Sequence, residues 1–152
     1  MMIMKDSKMP NDLTNKEQMI EECLKEANQF FSVCKIITDA GVNATHLYPC
    51  IASLSFAIEL YFKKILLENQ PVEMLKTHDF YNLFKLLPQQ EQTNLIQKWR
   101  ERYNSNLEEG IQKERCAYNE WRFGYEKEEI HADPAFLSNL AEFLKEYVEE
   151  KG

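Results

Sequence analysis

A chain of 152 residues with a formal net charge of −7 is sized for one domain with a real core, and its charge is ill suited to a broad surface for phosphate backbones. Four glycines and five prolines leave little material for tight turns while Leu, Glu, Lys and Gln abound, so the composition excludes a strand-and-turn architecture and favours helices. The four cysteines, Cys23, Cys34, Cys50 and Cys116, show neither paired metal spacing nor the density of a disulfide framework. They read as buried free thiols of a cytoplasmic protein, with no metal and no cofactor.

Residues 1–11 read as a loose leader and residues 12–152 as a single helical domain. The start, MMIMKDSKMPND, has no apolar stretch followed by a small-residue cleavage site, so no secretory signal is expected. Helix one is expected from Asp12 or Thr14, either of which can cap free amides, to about Asp39. Its apolar positions Met19, Ile20, Cys23, Leu24, Ala27, Phe30, Phe31, Cys34 and Ile37 recur at helical spacing. Gly41 suits a left-handed cap after it. Between Ala40 and Ile58 there is no formal charge, yet Asn43, Thr45, His46, Pro49 and two serines make this stretch too polar to span a bilayer.

Helix two is expected from about Thr45 to Asn69, with Pro49 in its first turn, where a missing amide costs little. Ile51, Leu54, Ile58, Tyr61 and Ile65 form one stripe, and Ala57, Leu60 and Phe62 widen it enough to be buried on more than one side. Gln70-Pro71 stops it. Thr77 is expected to cap a short third helix carrying Phe80, Leu83, Phe84, Leu86 and Leu87, with Asp79 in its first turn. A fourth segment from about Gln90 turns Leu95, Ile96, Trp99, Tyr103 and Leu107 inward, with Gly110 as the expected interruption. The run Trp121-Arg122-Phe123-Gly124-Tyr125-Glu126 is left unassigned. Asp133-Pro134 opens a last helix, whose inner residues are Phe136, Leu140, Phe143, Leu144, Tyr147 and Val148. Long helices with short connections imply an all-α, antiparallel up-and-down four-helix bundle with an extra short helix. No internal repeat, low-complexity tract or domain linker interrupts it.

The polar residues set inside this apolar frame carry the functional argument. Glu59 sits on the apolar turns of helix two, and Lys63 follows it in the favourable i,i+4 order. His78 and Asp79 stand where the third helix begins. A structural ion pair is the first reading of Glu59, with Lys63 or with Arg122, because a buried acid needs a partner whether or not it is catalytic. His78 is expected to pack at the start of helix three and bond a neighbouring side chain; its functional reading is a proton carrier facing a cleft with Asp79. Lys63-Lys64 reads as a solvated helix edge. Trp121, Phe123 and Tyr125 can stack a base and Arg122 can grip a phosphate, but aromatics around an arginine also make a dimer hot spot. His46 and His131 have no convergent ligands in sequence.

The segment FAIELYFKKILLENQ…KTHDFYNLFKLLP, followed by AYNEWRFGYE, resembles the HEPN superfamily of small helical bundles found in prokaryotic conflict systems and beside nucleotidyltransferases. The resemblance covers most of Ser55 to Glu126. It implies a four-helix up-and-down bundle, akin to nucleotidyltransferase substrate-binding subunits, that forms a homodimer. In active members of the family it also implies a metal-independent ribonuclease site at the dimer interface, built on an Arg, a polar residue, three variable residues and a His. Arginine would stabilise charge developing on phosphate, and histidine would move a proton at a ribose oxygen. Here the sequence departs from the pattern: five residues beyond Arg122 stands Lys127, and His131 lies four residues later still. Arg115 and Arg102 have Glu120 and Leu107 at that spacing.

The expectation is therefore a non-catalytic dimeric module that binds a nucleotide, an RNA or a partner protein, such as a nucleotidyltransferase, in a defence, toxin-antitoxin or regulatory setting. Its ligand or interface residues would be Glu59, Lys63, His78, Asp79, Trp121, Arg122, Tyr125 and Glu126. The alternative is a divergent ribonuclease using Arg122 with His78 or His131.

Overall fold

The computed structural model describes residues 12–39, 47–69, 76–115 and 133–151, and all regular structure among them is helical. In chain order the helices are α1 (Asp12–Asp39), α2 (Leu47–Leu67), α3 (Phe80–Leu86), α4 (Gln89–Tyr103), α5 (Leu107–Lys113) and α6 (Pro134–Lys151). The leader, the Gly41 cap, Gln70-Pro71, Cys116 and the whole of Trp121 to Glu126 lie outside the described residues, as do His46 and His131.

α2 is the axis of the molecule. Ile51, Leu54, Ala57, Ile58, Tyr61, Phe62, Ile65, Leu66 and Leu67 are all inaccessible or nearly so, which requires neighbours on several sides. Those neighbours are α1, α3 and α6. α1 runs antiparallel to α2: Asn28 accepts a 2.6 Å hydrogen bond from the Tyr61 hydroxyl, and Phe30 packs on Phe56 with ring centroids 4.9 Å apart. α4 and α6 are likewise antiparallel, joined near one end by Arg102 to Glu146 at 2.6 Å and near the other by Lys151 to Glu91 at 2.7 Å. Between them Trp99 meets Phe143 and Phe136 edge-on, at 5.1 and 5.5 Å.

Three expectations about element ends and faces change. The cap of α3 is Asp79, not Thr77: its carboxylate accepts from the amides of Tyr81 and Asn82, at 2.9 and 3.1 Å. Thr77 sits two residues out, and its hydroxyl accepts the Asp79 amide at 3.0 Å. The break after α4 falls at Asn104–Asn106 instead of Gly110. Asn104 takes the left-handed conformation (φ 52°), and Asn106 caps α5 through the Glu109 amide. Gly110 stays helical, and packing explains why it has no side chain. A Cβ there would lie 2.7 Å from Phe136 Cζ and closer still to Cε1.

The third change concerns the lysine pair. Lys63 and Lys64 are not a solvated edge, since their side chains are only 13% and 7% exposed. A helix with packing on three sides leaves no solvent-facing edge at this level, so each lysine takes an acid from its own helix: Lys63 pairs with Glu59 and Lys64 with Glu68. α1 departs from its pattern in the opposite direction. Ala27 and Cys34 are fully buried, whereas Met19, Ile20, Cys23, Leu24, Phe30 and Phe31 are half-buried and Val33 and Ile36 face out.

Buried Gln92 fastens the short α3 to α4. Its amide donates to the carbonyls of Leu87 and Lys85, at 2.9 and 3.2 Å, occupying acceptors that the end of a helix leaves open. A backbone bond from Phe80 N–H to the Arg115 carbonyl (3.0 Å) ties the start of α3 to the segment just after α5. These anchors hold His78 and Asp79 against the flank of α2.

Candidate functional site

Glu59 is the centre of the polar cluster. Its turn of α2 is flanked by Ile58 and Leu60, and its side chain is 9% exposed. A single carboxylate oxygen, Oε2, takes both Lys63 Nζ at 2.7 Å and His78 Nδ1 at 2.9 Å. An ionised carboxylate only accepts, so Nδ1 carries the proton in this bond and the ring orientation is fixed by it. The lysine reaches Glu59 through the i,i+4 spacing of one helix; the histidine arrives from the strand of chain that precedes α3. The His78 side chain is 64% exposed, so the cluster has a buried acid at its base and an imidazole at its mouth.

Two further groups border it. Cys23 on α1 lies close enough to feel Lys63 and Glu59. Burial pushes its thiol up to about 11; Lys63 works against this, while Glu26, Glu22 and Glu59 add to it. The thiol is therefore protonated near neutrality and unsuited to nucleophilic work. Ser55 stands one turn before Glu59 on α2. Its hydroxyl is buried and makes no hydrogen bond with any described group.

Asp79 takes another role. Besides capping α3, it accepts from Arg115 Nε at 2.9 Å, and the same guanidinium lies over the Tyr81 ring, 5.0 Å from its centroid. The Tyr81 hydroxyl donates to Glu108 at 3.2 Å, with Lys85 at 3.4 Å from that carboxylate. Asp79 thus anchors a charged chain running from α3 to α5.

The structure brings Glu59, Lys63 and His78 together, with Asp79 directly following in the chain. Trp121, Arg122, Tyr125, Glu126 and His131 lie outside the described residues, as does the expected contact of Glu59 with Arg122. The expectation that His78 bonds a neighbouring side chain is met across 19 residues, by Glu59. Arg115, Cys23 and Ser55 escaped notice as site neighbours. The i,i+4 series Ser55-Glu59-Lys63 could have revealed the serine, whereas nothing local links Arg115 to Asp79, 36 positions away. Among the described residues no group of three or more His, Cys, Asp or Glu is placed to hold a metal ion.

A groove of about 260 Å³ between α4 and α6 shares no residue with this cluster. Its floor is Phe143 and Tyr147; its rim cations, Arg102 and Lys98, are paired with Glu146 and Glu150. No helix among the described residues is long and apolar enough to cross a membrane. No protein-family model, curated protein or solved structure matches the chain.

Proposed function

We propose that this chain is a HEPN-like module, a dimeric four-helix bundle of the cytoplasm, that acts by binding and not by catalysis. In this reading the Glu59-Lys63-His78 cluster is a polar support for the ligand site. The ligand is a nucleotide, free or within RNA, gripped by Arg122 and stacked on the neighbouring aromatics, or a partner protein seated on the Trp121 to Glu126 segment in a defence or toxin-antitoxin setting. One observation carries the reading: a single oxygen of Glu59 serves both Lys63 and His78. A carboxylate oxygen already shared between a largely buried lysine and an imidazole is engaged in structural bonds, which suits a support more than a catalyst. The missing arginine-to-histidine spacing and the acidic net charge add to it.

The competing reading, a metal-independent ribonuclease using Arg122 with His78 or His131, draws on the other side of the same geometry. A buried carboxylate on Nδ1 is how an imidazole is oriented for proton transfer. Purified protein incubated with structured and single-stranded RNA in chelator separates the two. The binding reading expects no cleavage, together with saturable binding of a fluorescent nucleotide or RNA, or of a partner nucleotidyltransferase, that is weakened tenfold or more by Arg122→Ala. Cleavage by the wild type that is lost in both Arg122→Ala and His78→Ala overturns it.

A further inference from the structure

α1 is the long helix least committed to the core. Only Ala27 and Cys34 are fully buried among its described side chains, and Val33 and Ile36 are 45% and 69% exposed. What holds it is its antiparallel register with α2, read from Asn28 on Tyr61 and Phe30 on Phe56, with Cys23 near enough to Lys63 to feel its charge. Continued toward the C-terminal end of α1, that register sets Cys34 opposite Cys50 in the first turn of α2. Both thiols are 5% exposed and belong to one core cluster. They are also in hydrogen-bonding contact with each other. Ala27, Cys34, Cys50 and Ala57 all belong to that core cluster, and the small cysteine side chains can meet only where the two backbones come close, as a disulfide requires.

We infer that Cys34 and Cys50 form a latent disulfide pair, a redox latch that locks α1 onto α2 when a hydroperoxide oxidises it. One sulfur attacks the peroxide oxygen, giving a sulfenic acid and releasing water or an alcohol. The second then displaces the hydroxyl, forming the S–S bond and releasing water. Two thiol protons leave with the two electrons that reduce the peroxide. Burial, and then the neighbouring Cys34, push the Cys50 thiol up to about 11, so the closed hairpin is slow to react. Oxidation follows transient opening of α1, and the bond then prevents reopening. The latch thus reports on, and ends, a local motion at the least buried helix.

The test treats the full chain with hydrogen peroxide at pH 8, blocks remaining thiols with iodoacetamide, and maps peptides without reductant. A Cys34–Cys50 peptide, a protein lighter by two hydrogens, reversal by dithiothreitol and a melting midpoint raised by roughly 5–10 °C are expected. Cys23→Ser should leave the linkage intact, and Cys50→Ser should abolish it. Because Cys50→Ser can also disturb folding, the wild-type peptide map is decisive by itself. A linkage to Cys23 or Cys116, a linkage between chains, or both thiols still free after peroxide in enough urea to open α1 overturns the inference.

Discussion

Glu59 sets the terms for its neighbours because one of its oxygens carries two partners. Changing Glu59→Gln keeps the shape and removes the charge, leaving the largely buried Lys63 without its counter-ion. A loss of about 1–3 kcal/mol in urea unfolding is expected. The double variant Glu59→Gln with Lys63→Met should recover most of that loss, since apolar replacement of both partners of a buried pair is nearly neutral. His78→Ala should cost under about 1 kcal/mol, its side chain being largely exposed. If all three variants weaken the protein equally, Glu59 does not organise the cluster. Gly110 makes a second residue-scale case, because a Cβ would run into the Phe136 ring. Gly110→Ala should destabilise by about 1–3 kcal/mol despite its better helix propensity, and adding Phe136→Leu should return part of it.

At the scale of elements, α3 depends on its first residue outside the helix. A seven-residue helix has too little hydrogen bonding of its own to persist without a cap and packing. Asp79→Ala should therefore cost about 0.5–2 kcal/mol, and Asp79→Asn, which can still cap, distinctly less. Equal losses would move the weight to the Arg115 ion pair. The C-terminal end of α6 is held by Glu91, which accepts from Tyr147 and Lys151. Burial alone would raise the Glu91 carboxyl above its ordinary 4.5, but hydrogen bonds from Lys151 and Tyr147 and the charges of Lys151 and Lys64 outweigh it and lower the group. A depressed acid stabilises the fold fully above 4.5, and that contribution is lost as pH falls through the lowered value. The stability gap between wild type and Glu91→Gln should thus be constant near neutrality and shrink below pH 4.5. A gap that widens on acidification would refute this linkage.

For the molecule as a whole, the proposed module is a homodimer with Trp121 to Glu126 at its interface or cleft. Light scattering at micromolar concentration should give twice the chain mass. Arg122→Ala, or Trp121→Ala at the proposed hot spot, should shift it toward the monomer. A strict monomer in the wild type would remove the dimer from the reading and leave ligand binding to be measured by itself. The buried α2, wedged among α1, α3 and α6, makes the fold cooperative around one helix. Substitutions along its stripe should then lower the single unfolding midpoint and leave the number of transitions unchanged.

Periodicity and composition by themselves determined the helical class, the apolar stripe of α2 and the Asp133-Pro134 start of the last helix, because each depends on neighbours a few residues apart. The i,i+4 pairing of Glu59 with Lys63 was legible for the same reason. Tertiary structure alone decided that His78 joins that acid, that Asp79 meets Arg115, and that Gly110 yields space to Phe136. It also decided that Lys64 is buried and Lys63 largely so. Burial is set by what packs across a helix from distant parts of the chain, and a local pattern records only which faces are apolar, not what covers them.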